Sequence, residues 1–421
     1  MNKYSVSTLG PCSTPSPLSS STFVDNSDGV LVHNTIKEHK NFEGSTPPSF
    51  ELAGPREKLF FNPEETTAAI VTCGGLCPGL NDVIRGVTMV LWYRYKIRRI
   101  LGMRYGYQGF IPSYGHTPLE LTPSFVEGIH QKGGSILGSS RGSQPVPETV
   151  DYLEANNINI LFALGGDGTQ RGSLEIAEEI EKRNLPISVI GIPKTIDNDI
   201  KMVDRTFGFE TAVEMSQTPI KCAHQEAKAS FRGIGLVKLM GRDSGFIAAN
   251  ATLASSDVNI LLTPEVPLSL ENLYHMIDQR LKNSSHVVIV VAEGAGQEYF
   301  ELDGAQDASG NKKFGDIGTF LKGSITEHFE NKGEPVRLIY IDPSYIIRSA
   351  PANANDSRYC FQLAEHAVHA AMAGRTKMLI SFWGGHYVHI PIEGAIKDRK
   401  KIDPSGLLWQ SVLDNTGQDS L

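Results

Sequence analysis

Two short polar motifs contain most of the residues of this chain that could do chemistry. Residues 164–169 (LGGDGT) and residues 193–199 (PKTIDND) each follow an apolar run that predicts a buried strand. In an open α/β sheet, ligands bind at the carboxyl ends of strands. Glycines there let a phosphate approach the backbone at the N-terminus of the next helix. Because the three aspartates would repel a phosphate unless a divalent cation lay between them, the pair predicts Mg²⁺-nucleotide chemistry with one carboxylate available as a base.

Each of these motifs, taken alone, admits a second interpretation. The first motif is also typical of NAD kinases and lipid kinases. Asp197 and Asp199 would face the same way on an extended segment, which suits one metal contact and one base, but the same residues favour an Asx turn or a helix cap. Residues 72–79 (TCGGLCPG) predict either a phosphate-binding loop or a tight glycine turn. We expect Cys73 and Cys77 in that loop to be semi-buried thiols, because no further ligands follow at metal-binding spacing.

Further polar residues follow later strand-like runs. Residues 238–245 (KLMGRDSG) follow one such run, and Arg242 within them suits a phosphate or sugar ligand, or a surface salt bridge. Glu293 ends another run, where a carboxylate suits sugar hydroxyls or a helix cap. Arg337 and Arg348 lie near a third strand-like run, and their positive charges suit the binding of a phosphomonoester.

The rest of the chain predicts the elements that must position these residues. Strands are predicted at 68–72, 97–103, 158–164, 187–192, 235–238, 260–262, 287–292 and 336–341, and helices at 81–95, 170–181 and 211–229. This alternation predicts an α/β fold of two doubly wound, Rossmann-like parallel-sheet domains with the active site between them. Domain crossings are expected near residues 207–210 and 348–354, and residues 299–315 are expected to form a loop.

Composition narrows the class of protein. The 421 residues carry a formal net charge of −8, which argues against a nucleic-acid-binding surface. The longest apolar run, residues 287–292, is too short to span a membrane. Five cysteines do not indicate a disulfide framework, so we expect a reducing, cytoplasmic setting. Residues 1–22 are rich in Ser, Thr and Pro and are expected to be disordered, and they resemble neither a secretory signal nor a transit peptide.

Five motifs in order resemble the 6-phosphofructokinase family, most closely its plant and protist ATP-using branch. They are residues 74–81 (GGLCPGLN), 165–169 (GGDGT), 193–199 (PKTIDND), 240–242 (MGR) and 341–348 (IDPSYIIR), and the resemblance covers residues 68–390. It implies Mg²⁺-assisted transfer of a phosphoryl group from ATP to fructose 6-phosphate, in glycolysis, by a homodimer or homotetramer.

The resemblance also implies an assignment of domains. Residues 1–62 would be an N-terminal extension, and residues 63–208, with a contribution from 349–390, would bind the nucleotide. Residues 209–348 would bind fructose 6-phosphate, and residues 391–421 would be a C-terminal tail, which by its own composition is polar and charged after Lys397.

Individual roles are implied by the same resemblance. Asp197 would be the general base, assisted by Thr195, Asp199 and Arg242, while Asp167 and Asp199 would organise Mg²⁺. The nucleotide would be bound by Gly75, Arg141, Gly166, Asp167, Gly168, Thr169 and Gly172. Fructose 6-phosphate would be bound by Thr195, Asp197, Asp199, Met240, Gly241, Arg242, Glu293, Arg337, Tyr345 and Arg348, with Arg337 coming from a neighbouring subunit.

Two positions bear on the phosphoryl donor. Diphosphate-dependent members carry Asp where this chain has Gly168, which favours ATP, whereas Lys194 is common in diphosphate users. The plant and protist ATP branch carries both residues. The alternatives are a diphosphate-dependent enzyme, an NAD or lipid kinase sharing only the first motif, and a non-catalytic regulatory subunit. Bacterial-type effector regulation is not expected, because Arg85 matches one effector arginine but Met89 stands at the other.

Overall fold

The computed structural model describes residues 3–19, 22–39, 47–301 and 313–418. Its strands are β1 (Ser7–Thr8), β2 (Thr14–Pro15), β3 (Gly29–Leu31), β4 (Ser49–Leu52), β5 (Lys58–Leu59), β6 (Thr67–Thr72), β7 (Arg99–Met103), β8 (Leu119–Glu120), β9 (Ile160–Gly165), β10 (Ser188–Pro193), β11 (Gly233–Leu239), β12 (Ile260–Leu262), β13 (His286–Ala292), β14 (Arg337–Ile341), β15 (Arg375–Thr376), β16 (Met378–Trp383) and β17 (His386–Pro391). Its α-helices are α1 (Ile36–His39), α2 (Leu80–Tyr93), α3 (Val146–Ala155), α4 (Asp167–Lys182), α5 (Phe209–Lys228), α6 (Phe246–Ser255), α7 (Leu270–Asn283), α8 (Ile317–Asn331), α9 (Ser344–Arg348), α10 (Ala354–Met372), α11 (Ile392–Ile396) and α12 (Leu407–Thr416). Across those ranges, no helix combines the length and the apolarity needed to cross a lipid bilayer.

A mixed sheet with a parallel centre and a second, fully parallel sheet confirm the predicted α/β class. The larger sheet has the order β3-β4-β17-β16-β10-β9-β6-β7-β8. Its five central strands, from β16 to β7, run parallel, and antiparallel strands are added at both edges. The smaller sheet, of order β12-β13-β11-β14, is parallel throughout. Parallel neighbours need crossover connections, and here α-helices supply most of them.

Alternate residues of the strands face different apolar cores. In β6, Ala68 and Ile70 face the core that includes α2 and α10, whereas Ala69 and Val71 face the core that includes α3 and α4. The first of these cores also contains side chains from β11 and β13 of the smaller sheet, so it is continuous between the two sheets. The relative position of the sheets is therefore set by close packing of a shared apolar core.

The predicted elements are confirmed in type, with one informative difference at α4. This helix begins at Asp167, where the sequence predicted a start at Gln170. Gly166 is the extended residue that precedes it, and the Gln170 side chain donates through Nε2 to the Gly165 carbonyl at 3.0 Å. The Asp-Gly-Thr of the first motif therefore forms the first turn of a helix.

Residues 3–19 form paired strands and buried contacts, contrary to the predicted disorder of the N-terminal segment. β1 pairs with β15 and β2 pairs with β5, both antiparallel, and Tyr4 and Leu18 are buried. The reason is that short, polar strands can be held by partners far along the chain, which composition does not reveal. The predicted loop of residues 299–315 lies largely outside the described residues, which omit 302–312.

Residues 397–418 also differ from the polar tail that was predicted. A C-terminal strap (residues 397–406) crosses the molecule and leads into α12, where Trp409 and Val412 are buried against the shared core. The Gln418 side chain then pairs with Leu261 of β12, accepting from its N–H at 2.7 Å and donating to its carbonyl at 3.3 Å. Apolar residues at helical spacing within 408–413 account for this docking.

Candidate active site

Six strand ends from both sheets open onto one cavity of about 830 Å³. The strands are β6, β9 and β10 of the larger sheet and β11, β13 and β14 of the smaller. The predicted site residues that line it are Gly75, Arg141, Gly166, Asp167, Gly168, Thr169, Gly172, Lys194, Thr195, Asp197, Asp199, Met240, Arg242, Glu293, Tyr345 and Arg348. The structure therefore brings together residues that are far apart in the chain, at the strand edge where α/β folds bind ligands.

Two predicted residues do not line this cavity. Gly241 has a φ of +147°, and a Cβ there would lie 2.3 Å from the Ser244 carbonyl oxygen. Its contribution is therefore the backbone conformation between Met240 and Arg242. The last residue of β14 leads towards the cavity. Arg337 is the exposed first residue of β14 and therefore lies at the far end of the strand.

The junction of β9 and α4 provides an anion-binding surface. The backbone N–H groups of the first turn of α4 have no carbonyl partner within the helix, and the helix dipole adds partial positive charge. The turn is tight, because a Cβ on Gly165 would lie 2.0 Å from Thr169 Oγ1. Tyr107 Oη donates to the Thr169 carbonyl at 2.9 Å and so holds the turn from beneath. This geometry suits a phosphate group of a nucleotide.

Two arginines from other parts of the chain lie close to Gly75 in the loop after β6. A Cβ at this glycine would lie 2.9 Å from Arg348 Nη2 and 3.6 Å from Arg141 Nη2. Lys194 supports the loop from the side, donating through Nζ to the Gly75 carbonyl at 2.6 Å. Burial lowers the pKa of Lys194 below its usual value. Arg141 was predicted to contact the nucleotide and Arg348 the sugar phosphate, so this loop brings together cations predicted for the two different ligands.

The two cysteines of the same loop are buried thiols. Cys77 Sγ donates to the Phe207 carbonyl at 3.3 Å. Burial raises the pKa of Cys73 to about 12, and burial also raises the pKa of Cys77. Thiols of this kind are poor nucleophiles and poor metal ligands at neutral pH.

Asp197 and Asp199 lie in a turn after β10. The extended segment expected from their spacing is wrong, because Asn198 between them is left-handed, with a φ of +57°. Neither aspartate caps a helix. Thr195 Oγ1 accepts from the Asp197 N–H and donates to Asp199 Oδ1, both at 3.1 Å. The turn therefore directs the two carboxylates towards different neighbours within one cavity.

The pKa of Asp197 is raised above that of an ordinary aspartate. It is buried, and burial is the main cause that raises its pKa, followed by the charges of Asp199 and Glu293. The positive charges of Arg242 and Arg348 oppose that shift. A carboxylate whose pKa is raised in a polar cleft is a good candidate for a general base.

Asp199 and Asp167 share a partner that the sequence analysis missed. Arg399 of the C-terminal strap donates from Nη2 to Asp167 Oδ2 and from Nη1 to Asp199 Oδ2, each at 3.0 Å. Burial raises the pKa of Asp199, and the charge of Arg399 opposes the rise. Two carboxylates already bridged by a cation form a hard oxygen donor set, which fits Mg²⁺.

The opposite side of the cavity carries the MGR motif and Glu293. Glu293 Oε1 accepts from the Arg242 N–H at 3.0 Å, and Arg242 itself is left-handed, with a φ of +49°. The Arg242 guanidinium lies over the Phe314 ring, 5.5 Å from its centroid. Tyr345 extends from α9 with its side chain 84% exposed, so it is accessible to a ligand or to a neighbouring molecule.

A doubly wound α/β fold with this cavity defines a class of phosphotransferase, in which positioning and charge neutralisation dominate the chemistry. A sequence profile described as Phosphofructokinase matches residues 67–371. The chain belongs to the phosphofructokinase family.

Relatives and solved structures agree with that assignment. The ATP-dependent 6-phosphofructokinase of Borreliella burgdorferi is 50% identical, over 99% of this chain and 96% of its own. The enzyme of the same name from Entamoeba histolytica is 49% identical, over 85% and 83%, and ATP-dependent 6-phosphofructokinase 7 of Arabidopsis thaliana is 46% identical, over 92% and 80%. The protist and plant relatives confirm the predicted resemblance.

Structural neighbours confirm the fold. The pyrophosphate-dependent phosphofructokinase from Marinobacter aquaeolei superposes with a TM-score of 0.69 at 19% identity, covering 85% of this chain and 92% of its own. The Pichia pastoris phosphofructokinase gives a TM-score of 0.64 at 21% identity, covering 88% and 38%.

Proposed function

We propose that this chain transfers the terminal phosphoryl group of ATP to the 1-hydroxyl of fructose 6-phosphate, forming fructose 1,6-bisphosphate and ADP, in cytoplasmic glycolysis. One observation carries the proposal. Asp197 is a buried carboxylate in a single cavity that has an anion-binding helix terminus on one side and the Arg242–Glu293 pair on the other. Relatives of high coverage that are named ATP-dependent 6-phosphofructokinase support it.

ATP is the donor that the nucleotide side of the cavity favours. Gly168 lies exposed in the first turn of α4 and has no side chain that could repel the phosphates of a nucleotide. Lys194, the residue that pointed towards diphosphate, is buried and bonded to the Gly75 carbonyl. Its role as a support for that loop is compatible with either donor, so Gly168 decides in favour of ATP. In this proposal residues 63–208, with 349–390, form the nucleotide-binding domain.

The chemistry is divided among a small set of side chains. Asp197 would accept the proton of the 1-hydroxyl as the oxygen attacks, and Thr195 would hold the turn that carries it. Arg141 or Arg242 would neutralise charge on the phosphoryl group between the two substrates. Asp167 and Asp199 would hold Mg²⁺, which when bound neutralises phosphate charge.

Fructose 6-phosphate would be bound by the smaller-sheet side, residues 209–348. Met240, Arg242 and Glu293 would contact the sugar, with Gly241 setting the backbone between the first two. Tyr345 and Arg348 would hold the 6-phosphate. Arg337 is exposed and does not line its own cavity, which supports its reaching the site of a second copy in a homo-oligomer.

Lys238 is expected to position the phosphate-binding helix α9 without contacting the substrate. Its Nζ lies 2.9 Å from Asp316 Oδ1 and 3.0 Å from Asp342 Oδ2, and Asp342 in turn accepts from the Ser344 N–H at the start of α9. Burial acts to lower the pKa of Lys238, but the hydrogen bonds to Asp316 and Asp342 outweigh it and raise the pKa above its usual value.

Lys238→Met should therefore raise the KM for fructose 6-phosphate about tenfold while kcat changes much less, because misplaced binding groups weaken ground-state and transition-state binding together. Steady-state kinetics would measure this split. Lys322→Met, at an exposed position of α8, is the matched control. A fall in kcat at unchanged KM would show that Lys238 supports the chemical step and not substrate binding.

The experiment that tests the function is steady-state kinetics with fructose 6-phosphate and either ATP or diphosphate as the sole donor. We expect kcat/KM with ATP to exceed that with diphosphate by at least about a hundredfold. Fructose 1-phosphate, which has no free 1-hydroxyl, is the acceptor control and should not be phosphorylated. Activity with diphosphate alone would overturn the donor assignment, and the absence of activity with either donor would overturn the function.

A further inference from the structure

The C-terminal strap brings a guanidinium into the carboxylate cluster of the active site. Arg399 contacts Asp167 from α4, Asp199 from the turn after β10, and Asp243 from the smaller-sheet side, the last at 3.5 Å. The Arg399 side chain is 27% exposed, so most of it is enclosed by the site. One arginine thus links acidic residues that follow three different strands of two sheets.

Backbone contacts hold the strap across both sides of the molecule. Residue Arg399 forms a β-bridge with Ile200, and the Lys400 N–H donates to the Asp199 carbonyl at 2.7 Å. The Ile402 N–H donates to Glu265 Oε1 at 3.0 Å, which attaches the next part of the strap to the smaller-sheet side. Beyond it, α12 is anchored by its buried face. The contacts at Arg399 and Lys400 are made to the segment that carries Asp199, whereas those of Ile402 and α12 are made elsewhere, so the far end stays attached if the near end is released.

We infer that Arg399 is a tethered cation that occupies the place of the divalent metal between Asp167 and Asp199, and that metal binding displaces it and releases the strap. This inference rests on the proposed function, because that proposal assigns the two aspartates to Mg²⁺.

We expect a metal to displace Arg399 because both would use the same carboxylate oxygens. Asp199 Oδ1 accepts from Thr195 Oγ1, and Asp199 Oδ2 accepts from Arg399, so both oxygens of this carboxylate are engaged. A divalent ion coordinated by the same oxygens would face a guanidinium at close range, and two positive charges at that separation repel strongly in a partly buried site. Arg399 therefore competes with the metal and lowers the affinity of the two aspartates for it.

Direct binding of Mn²⁺ to the full-length protein, followed by electron paramagnetic resonance, measures that competition without turnover. We expect Arg399→Ala to bind Mn²⁺ about tenfold more tightly than the wild type, because two charge-assisted hydrogen bonds no longer oppose the metal. Arg399→Lys, which keeps the charge but not the planar fork, should fall between them. Lys401→Ala, at an exposed position of the strap, is the matched control and should leave the affinity unchanged.

Hydrogen exchange of the wild-type protein provides the second readout. The amides of Lys400 and Ile402 are hydrogen-bonded in the strap, so release should speed exchange in a peptide covering residues 397–402 when Mn²⁺ and ADP are added. Unchanged or weaker Mn²⁺ binding by Arg399→Ala, or unchanged or slower exchange of this peptide, would overturn the inference. Asp167→Asn separates the two proposals. If it binds Mn²⁺ as tightly as the wild type does, the metal assignment itself fails, and the inference fails with it.

Discussion

Asp197→Asn should lower kcat about a thousandfold while the KM for fructose 6-phosphate stays within a fewfold of the wild-type value. Positioned general bases contribute rate factors of this order, and the amide keeps the shape of the side chain but cannot accept the proton. Steady-state kinetics at saturating ATP would measure the loss. A kcat close to that of the wild type would remove Asp197 as the base.

The pH profile and the stability of the same variant give independent readouts. Burial and the charges of Asp199 and Glu293 raise the pKa of Asp197, so the acid limb of the wild-type kcat/KM profile should lie above the ordinary range of an aspartate, and kcat/KM should rise with pH through it. The variant should lose this limb.

Stability should change in the opposite direction to activity. A carboxyl whose pKa is raised by folding destabilises the folded state, and this cost is absent below the unfolded pKa, grows as the pH rises from the unfolded pKa to the folded one, and is complete above the folded pKa. At neutral pH Asp197→Asn should therefore be more stable than the wild type by about 1 kcal/mol. Asp28→Asn, at an exposed position just before β3, makes the same chemical change outside the cavity and should alter neither activity nor stability by a comparable amount.

Gly168→Asp should lower kcat/KM for ATP about a hundredfold. Gly168 lies in the first turn of α4 beside Asp167, and a second carboxylate there would meet the phosphates of the nucleotide as a like charge, which costs several kcal/mol at close range. Diphosphate has no third phosphate at the position of the nucleotide's α-phosphate, which this aspartate would crowd and repel, so its kcat/KM should fall less. Unchanged ATP kinetics would contradict this account of donor selection.

The loss should not come from unfolding, because an acidic residue in the first turn of a helix is favourable for the helix itself. Thermal unfolding would check this point. Gly168→Ala separates shape from charge: it adds a methyl group at a helical position and should change ATP kinetics only a fewfold. If both variants lose activity equally, crowding rather than repulsion would be the cause.

The grouping of the site residues could be predicted from the sequence where it requires only that parallel strands end at the same edge of a sheet. Each chemical motif directly follows an apolar run, and parallel strands bring their carboxyl ends to one edge, so the grouping of Asp167, Asp197, Arg242 and Glu293 follows from local pattern. The local turn could not be predicted, because spacing alone does not show that Asn198 adopts a left-handed conformation. Two aspartates that would have faced one direction therefore contact different neighbours.

Arg399 could not be predicted because it reaches Asp199 from two hundred residues further along the chain. Its only local signal is a short basic run, residues 397–401, and such runs are usually solvated. The N-terminal strands were missed for the same physical reason, since β1 and β2 depend on partners that lie far away in sequence.

The pairing of Gln418 with Leu261 has a consequence for association of the protein with itself. β12 lies at one edge of the smaller sheet, and edge strands present unsatisfied backbone groups that can recruit a strand from another molecule. The Gln418 amide bonds to both the N–H and the carbonyl of the central residue of that strand. A single glutamine side chain thus occupies backbone groups of the edge strand and protects the sheet against edge-to-edge aggregation.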